Sequence, residues 1–263
     1  MNIVVCVKRV PDTAGLDIEL TEDSCRIKEE GLVFDINEWD RYAVEEAVRL
    51  KEKSGGTVTV ISLGPEGVTD TLRKCLAMGC DEVIRLTDAD FERSDAVTMA
   101  RILYRVIKNI KFDLLLTGAQ AGDDGCGQVG PALARLLGVP NAALVTAIEI
   151  ADGAYRVHRE LESGLEEVVE VKLPAVLTIQ TGINEPRYVS IRTVMKVVDK
   201  EIKVLDREAL GMRPDEVGEA GSRTRVGMLS LPPVTKDIEI LPADPAAAAT
   251  RLMEIVDNEA KQA

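Results

Sequence analysis

Aromatic side chains supply only 3% of this chain of 263 residues, and Trp39 is its one tryptophan. The core must therefore be aliphatic, built from the Val, Ile, Leu and Ala within a hydrophobic content of 46%. Histidine is nearly absent. His158 stands alone beside Arg159 and Glu160 and reads as an exposed strand residue. The five cysteines, Cys6, Cys25, Cys75, Cys80 and Cys126, form no C-x-x-C pair. No set of metal ligands with recognisable spacing follows from them, no histidine-based triad is evident, and no G-x-S-x-G elbow occurs. An odd number of scattered cysteines fits free thiols in a reducing compartment. No signal or transit segment and no apolar run long enough to cross a bilayer is present, so the expectation is a soluble cytoplasmic protein. Basic residues are short too: 32 against 45 acidic, a net charge of −13. Nucleic acid is a poor partner for the chain as a whole, because phosphate binding needs a clustered positive face.

What is present is alternation. Short β-branched runs at residues 2–7, 57–63, 82–86 and 112–116 read as strands. Between them, 40–53, 66–78, 94–110 and 127–137 carry apolar residues at helical spacing. Gly55-Gly56 ends the first of these helices. Strand and helix in this order predict an α/β fold, a mostly parallel sheet with helices on both faces. Ligands of such sheets bind beyond the carboxyl ends of the strands. The segments to watch are thus 8–11, 64–65 and 117–130. After Pro140 the runs 145–150, 154–159 and 167–171 predict a small antiparallel extension, and 175–179 a return to the main sheet. From Gly211 the chain turns polar, shows an alternating stretch at 237–241, and ends on a helix opened by Asp244-Pro245. That tail is either an arm or a frayed end.

The informative loop is 118–130, Gly118-Ala119-Gln120-Ala121-Gly122-Asp123-Asp124-Gly125-Cys126-Gly127-Gln128-Val129-Gly130. It follows an apolar strand and opens a helix. Glycines let backbone N–H groups approach an anion, and a helix N-terminus adds a favourable dipole. It matches neither the Walker pattern nor G-x-G-x-x-G. It is either a phosphate loop or a tight turn with two solvated aspartates. Asp123 and Asp124 would repel a phosphate, so they point away from it or bind ribose or an amide. Asn37-Glu38-Trp39-Asp40 precedes a helix; its Asn and Asp either cap that helix or meet an adenine edge, and Trp39 covers a base or packs at a subunit contact. Carboxylate pairs such as Glu45-Glu46 and Glu166-Glu167 read as solvated faces, with nothing beside them to support acid–base work.

Several ordered motifs then carry a family resemblance. They are Cys6-Val7-Lys8, Ala43-Val44-Glu45-Glu46-Ala47, Gly64-Pro65, Ala77-Met78-Gly79, the loop 118–130, Arg159-Glu160 with Gly164-Leu165-Glu166, Val171-Lys172-Leu173-Pro174-Ala175-Val176-Leu177-Thr178, Asn184-Glu185-Pro186-Arg187-Tyr188 and Met195-Lys196. From the first strand to about Gly211 the chain resembles the β subunits of electron-transferring flavoproteins, the ETF beta / FixA family. It departs at Ser163, where the family has Gly or an acid, at one extra residue between Gly164 and Pro174, and at Ala119, where many members have Lys.

The resemblance implies a Rossmann-like fold of the adenine nucleotide alpha hydrolase-like kind. It divides the chain into a nucleotide-binding domain, 1–211, and a C-terminal arm, 212–263, wrapped on a larger α subunit. It implies AMP in this subunit, or a second FAD in bifurcating members, with an electron-active FAD held mainly by the α subunit. The pocket it implies is Cys6, Asn37, Glu38, Trp39, Asp40, Leu63, Gly118, Gln120, Asp123, Cys126, Gly127, Gln128 and Val129, none of them catalytic. Residues 184–196 become a docking loop, with Tyr188, Ile191 and Met195 facing an acyl-CoA dehydrogenase or related flavin enzyme; Ile191 is otherwise a core contact under a short helix. A downstream quinone oxidoreductase takes the electrons. Bifurcating relatives show Asn-Pro before their aspartates, and this chain has Asn37-Glu38, which favours AMP. A different class, a free-standing ATP-binding sensor or hydrolase of the same superfamily, stays open beside the carrier.

Overall fold

The computed structural model describes residues 1–14, 16–151, 154–232 and 238–260. The chain opens with β1 (Asn2–Val7), β2 (Arg9–Asp12), β3 (Val33–Ile36), α1 (Glu38–Ser54), β4 (Thr57–Leu63) and α2 (Val68–Met78). It continues with β5 (Glu82–Leu86), α3 (Ala96–Ile107), β6 (Leu114–Gly118) and α4 (Val129–Leu137). The second half holds β7 (Asn141–Ala151), β8 (Ala154–Glu160), β9 (Glu166–Val171), β10 (Ala175–Ile179), α5 (Ile191–Met195), β11 (Lys203–Leu205), α6 (Gly218–Gly221) and α7 (Pro245–Ala260). Among the described residues, one nine-stranded sheet runs β11-β5-β4-β1-β6-β10-β7-β8-β9.

Period-two alternation sends the two halves of each strand into separate cores. Ile3, Val5 and Val7 join Val58, Val60, Leu114, Leu116 and Leu177 under α1 and α2. Val4 and Cys6 join Ile61, Leu115 and Val176 under α3 and α4. Both cores are mainly aliphatic, as the shortage of aromatics requires, with Phe91 buried in the second. β1 pairs in parallel with β4 on one side and β6 on the other. The chain order reverses there, which makes the β1/β6 boundary the place where an open α/β sheet leaves a crevice.

The antiparallel extension differs from expectation at its start. β7 pairs in parallel with β10 at Asn141↔Val176 and Ala142↔Leu177, and turns antiparallel only against β8. One long strand thus serves both the main sheet and the extension, which residue pattern alone does not show. β2, β3 and β11 were not anticipated, because four-residue and three-residue strands leave almost no periodicity. His158 is half-buried rather than exposed. Its ring lies between Glu149, 3.5 Å away, and Glu166, 3.2 Å away.

Met1–Met228 form one compact unit and Leu229–Ala263 a second. The boundary lies beyond residue 211, and the reason is packing. Met212 and Val217 are buried in the α3/α4 core, Arg105 pairs with Glu216 at 3.3 Å, and the Gly218 N–H donates to Ser94 Oγ at 2.9 Å. Within the second unit the Asp244 carboxylate accepts from the Ala247 N–H at 2.9 Å, capping α7 as its sequence predicts. Arg251 on that helix pairs with Glu239 at 2.6 Å, and Asp237 lies outside the described residues.

Gly130 sets how closely α4 approaches the sheet. A Cβ there would sit 2.7 Å from Thr117 Oγ1 and closer still to Thr178 Cγ2. Gly130→Ala is expected to lower stability by about 1–3 kcal/mol, the usual cost of forcing extra atoms into a packed site. A urea-unfolding midpoint unchanged from the wild type would show that α4 can step away freely.

Candidate functional site

The carboxyl ends of β1 and β6 leave backbone N–H groups beyond the ladder that need acceptors. Asp40, in the first turn of α1, supplies them. Its carboxylate accepts from the Lys8 N–H at 2.7 Å and from the Gly118 N–H at 2.8 Å. The side chain is buried. Burial pushes its carboxyl up to about 7, against the pull of those two N–H donors and of the Lys8 charge. Burial, with the Asp40 charge behind it, also raises the Cys6 thiol far above the ordinary range, so Cys6 is a neutral residue of the α3/α4 core.

Asn37 holds the N-cap position of α1 but does not cap it. Its Nδ2 donates to the Gln120 carbonyl at 2.8 Å and its Oδ1 accepts from the Gly122 N–H at 3.0 Å. Neither Asn37 nor Asp40 therefore does the capping their positions predict. Both point inward and tie the root of the 118–130 loop to the sheet. Trp39 is pinned by its Nε1–H, which donates to Gln180 Oε1 at 2.8 Å, and its ring edge lies next to Gly122. Glu38 is exposed, and Leu63 is half-buried at the neighbouring end of β4, packed on the α3/α4 core.

The tip of the loop is held differently. Lys8 Nζ pairs with Asp123 at 2.7 Å and Asp124 at 2.8 Å. Asp124 also accepts from the Cys126 N–H at 2.9 Å, and the Gly125 N–H donates to the Ala121 carbonyl at 2.8 Å. Gly125 and Gly127 have φ of 61° and 58°, left-handed values that side chains resist. The first intrahelical donor of α4 is Ala132, whose N–H reaches the Gln128 carbonyl at 3.0 Å. Gln128, Val129 and Gly130 precede it, so their N–H groups have no partner within the helix, and Pro131 has no N–H. Those donors, at the positive end of a helix and backed by glycine, fit the phosphate of a nucleotide.

Of the residues foreseen, Asn37, Asp40, Gly118 and Gln120 are joined by hydrogen bonds, Trp39 lies beside Gly122, and Asp123, Cys126, Gly127, Gln128 and Val129 follow along the same loop, whereas Cys6 and Leu63 pack in the α3/α4 core and Glu38 is exposed. Lys8 fell within the segment 8–11 and the Cys6-Val7-Lys8 run but was not placed among the pocket residues, because nothing local shows that an ammonium just after β1 reaches Asp123 and Asp124.

The segment 184–196 packs on α1 through Asn184 and Arg187 and on α2 through α5. Asn184 Nδ2 donates to the Tyr42 carbonyl at 3.1 Å and to Glu46 at 3.0 Å. Arg187 binds Glu45 through Nε at 2.9 Å and Glu52 at 2.9 Å. The Glu45 side chain is only 2% exposed, and although burial works against its charge, hydrogen bonds from Arg187 and Arg49 outweigh it and lower its carboxyl. Above this anchor the side chains turn outward. Tyr188 is 91% exposed, Ile191 84% and Met195 62%. Ile191 is therefore not a core contact.

Among the described residues, a nine-stranded α/β sheet with a glycine loop and a helix N-terminus at its switch point defines the class that receives anionic ligands in that crevice. The electron transfer flavoprotein domain matches residues 24–210. The electron transfer flavoprotein subunit beta of Methylophilus methylotrophus is 40% identical over 88% of this chain and 89% of its own length. The subunit of that name from Bacillus subtilis strain 168 is 35% identical over 99% of each. Protein FixA of Azotobacter vinelandii is 34% identical over 92% of this chain and 88% of its own length. The chain belongs to the electron transfer flavoprotein beta / FixA family. Among the described residues no helix is long and apolar enough to cross a membrane, and no cluster of three metal-ligating side chains occurs.

Asp40 yields a pH signature. Its carboxyl holds a proton more tightly folded than unfolded, where 3.8 is its ordinary value. Its contribution to stability is thus fullest below 3.8, falls as pH rises to about 7, and is level above. Asp40→Asn cannot titrate, so the loss of stability between pH 5 and pH 8 is expected to be smaller in the variant. At any pH the amide leaves one of two N–H donors unsatisfied, a cost of about 1–3 kcal/mol. Urea midpoints across that range, parallel in variant and wild type, would refute the assignment.

Proposed function

We propose that this chain is the non-catalytic half of a heterodimeric electron carrier. It holds AMP in the β1/β6 crevice, while a larger α subunit provides most contacts to an electron-active FAD. Electrons enter from an acyl-CoA dehydrogenase or related flavin enzyme and leave to a quinone oxidoreductase. The FAD, when bound, supplies the redox chemistry. This chain's residues bind and orient: the N–H groups of Gly127, Gln128 and Val129 take the phosphate, and Asn37 and Asp40 keep the loop at its station. The indole of Trp39, fixed by Gln180 beside Gly122, narrows the crevice and favours AMP over a second isoalloxazine ring. Residues 229–263 supply an arm for the α subunit; Leu252, Met253 and Val256 give α7 an exposed apolar row for that contact.

The observation that carries the relay reading is the docking segment. An outward Tyr188, Ile191 and Met195 above a root fixed by Arg187 is a presented apolar anchor, the kind of feature that concentrates binding energy at an interface.

The purified heterodimer is expected to release one flavin and one AMP on acid extraction. Two flavins would transfer the crevice to a second FAD, and ATP turnover by the chain alone would replace the carrier with a hydrolase. Ile191→Ala is expected to slow electron acceptance from the dehydrogenase by about tenfold or more, the scale of losing one interface anchor, with nucleotide content unchanged. An unaltered rate would remove Ile191 from the docking surface.

A further inference from the structure

At the far end of α4 from the glycine loop lies a second cleft. Arg101, Tyr104, Arg105 and Lys108 on α3, Leu136 in the last turn of α4, and Met212 line it across from Asp215 and Glu216, and its volume is about 520 Å³. Small-molecule sites run from roughly 300 to 1,000 Å³. The cleft is on the α3/α4 face of the sheet, whereas α1 and the segment 184–196 are on the other. Its wall opposite α3 is a tight turn. Met212 and Val217 anchor that turn in the core, and a Cβ on Gly221 would strike the Glu216 carbonyl. Glycine there lets residues 214–221 fold back on themselves and hold both carboxylates at the rim.

The chain as a whole carries −13, yet three cations line this cleft against two carboxylates. Both carboxylates are already committed. Glu216 Oε1 pairs with Arg105 at 3.3 Å, and its Oε2 accepts from the Arg213 N–H at 2.8 Å. Asp215 pairs with Arg213 Nε at 3.0 Å. Among the described residues the side chains of Arg101 and Lys108 make neither a hydrogen bond nor an ion pair; the Lys108 ammonium only faces the Tyr104 ring, 5.6 Å from its centre, which leaves its N–H donors open. Arg101 and Lys108 stand two turns apart, about 10 Å along a helix that rises 1.5 Å per residue. Between and beside them Tyr104, Leu136 and Met212 supply apolar surface. The Arg101 guanidinium is always charged, and its planar fork matches a carboxylate or a phosphate.

We propose that this cleft binds a small organic dianion, with Arg101 and Lys108 taking its two acidic groups and Tyr104, Leu136 and Met212 covering its apolar or aromatic body. Two uncommitted cations two turns apart ask for two separated negative groups, and the apolar lining between them asks for carbon. An inorganic anion supplies neither the separation nor the body. Carboxylate and phosphate share the chemistry that the two cations recognise. An acidic segment of another protein would meet the same cations, but a cleft of this volume encloses a small ligand, whereas a stable protein interface covers far more surface. The site is independent of any nucleotide at residues 118–130.

The test is calorimetric titration of the full-length protein, as isolated, with adipate, with 4-carboxyphenyl phosphate, with neutral adipamide and with a hexaglutamate peptide. At least one of the two small dianions should bind, more weakly at high salt, and adipamide should not. Adipate alone would make the cleft a dicarboxylate site, and the phosphate ester alone a site for phosphorylated acids. Arg101→Gln should weaken the bound dianion about tenfold or more, the scale of losing a hydrogen bond to a charged group. Because Arg101 bonds no other side chain, its urea midpoint should stay at the wild-type value. Glu216→Gln removes the charge that engages Arg105 while keeping an acceptor for the Arg213 N–H, and should tighten binding severalfold. Opposite shifts in two variants of one cleft are not what general destabilisation produces. Equal binding of adipamide, or unchanged affinity in both variants, overturns the proposal. So does saturation by hexaglutamate while both small dianions fail, which would hand the cleft to an acidic protein segment.

Discussion

The carboxylate of Asp40 is where three segments of the chain are made to meet. β1 and β6 are neighbours in a parallel sheet, and each ends on an N–H that the ladder no longer serves. An acceptor from outside the sheet has to satisfy both, and α1 brings one in its first turn. The arrangement buries a carboxyl, which its raised proton affinity records. In return the spacing of the two strand ends is fixed, and with it the mouth of the crevice. Asn37, one helical turn away, extends the same device to Gln120 and Gly122. The loop is therefore set from beneath by α1, with its glycines free to take the left-handed values that turn the chain into α4.

How much of this could be read beforehand follows from the range of each interaction. The alternation of strands and helices is local, and β1, β4, β5 and β10 begin and end where their apolar runs do. The loop 118–130 was legible for the same reason: its glycines, its preceding strand and its following helix are contiguous. Other features depend on partners distant in sequence. Asn37 and Asp40 carry the residue types of helix caps, and Asn37 holds the cap position itself, yet their bonds go to residues 8, 118, 120 and 122. The doubled role of β7, parallel to β10 and antiparallel to β8, is invisible in its own eleven residues. Lys8 was marked only as part of the segment after β1, because its pairing with Asp123 and Asp124 has no local signature.

The exposure of Ile191 shows where local pattern and family resemblance part. An isoleucine opening a short amphipathic turn has the composition of a buried contact. It nonetheless stands outside: Arg187, held by Glu45 and Glu52, fixes the stretch before it against α1, and α5 itself packs on α2. Removing one partner from a buried charge costs about 3–5 kcal/mol, whereas an exposed pair costs far less to lose. The hold on the segment therefore lies mainly in the buried Glu45, with Glu52 adding orientation.

α1 thereby serves two places at once. Its N-terminal turn, through Asn37 and Asp40, sets the crevice. Its middle and last turns, through Tyr42, Glu45, Glu46 and Glu52, hold residues 184–187. From Asp40 to Glu52 is about 18 Å along a helix that rises 1.5 Å per residue, and the side facing the sheet is packed with Ala43, Val44, Ala47, Val48 and Leu50. A helix clamped in that way moves as a unit if it moves at all. Ala43 and Ala47 let it lie close on the sheet, and the same closeness puts Asp40 within reach of two strand ends. The shortage of large aromatic side chains, the first peculiarity of the sequence, is thus part of what makes the site: with an aliphatic core beneath it, α1 sits low enough for a short aspartate to bridge β1 and β6.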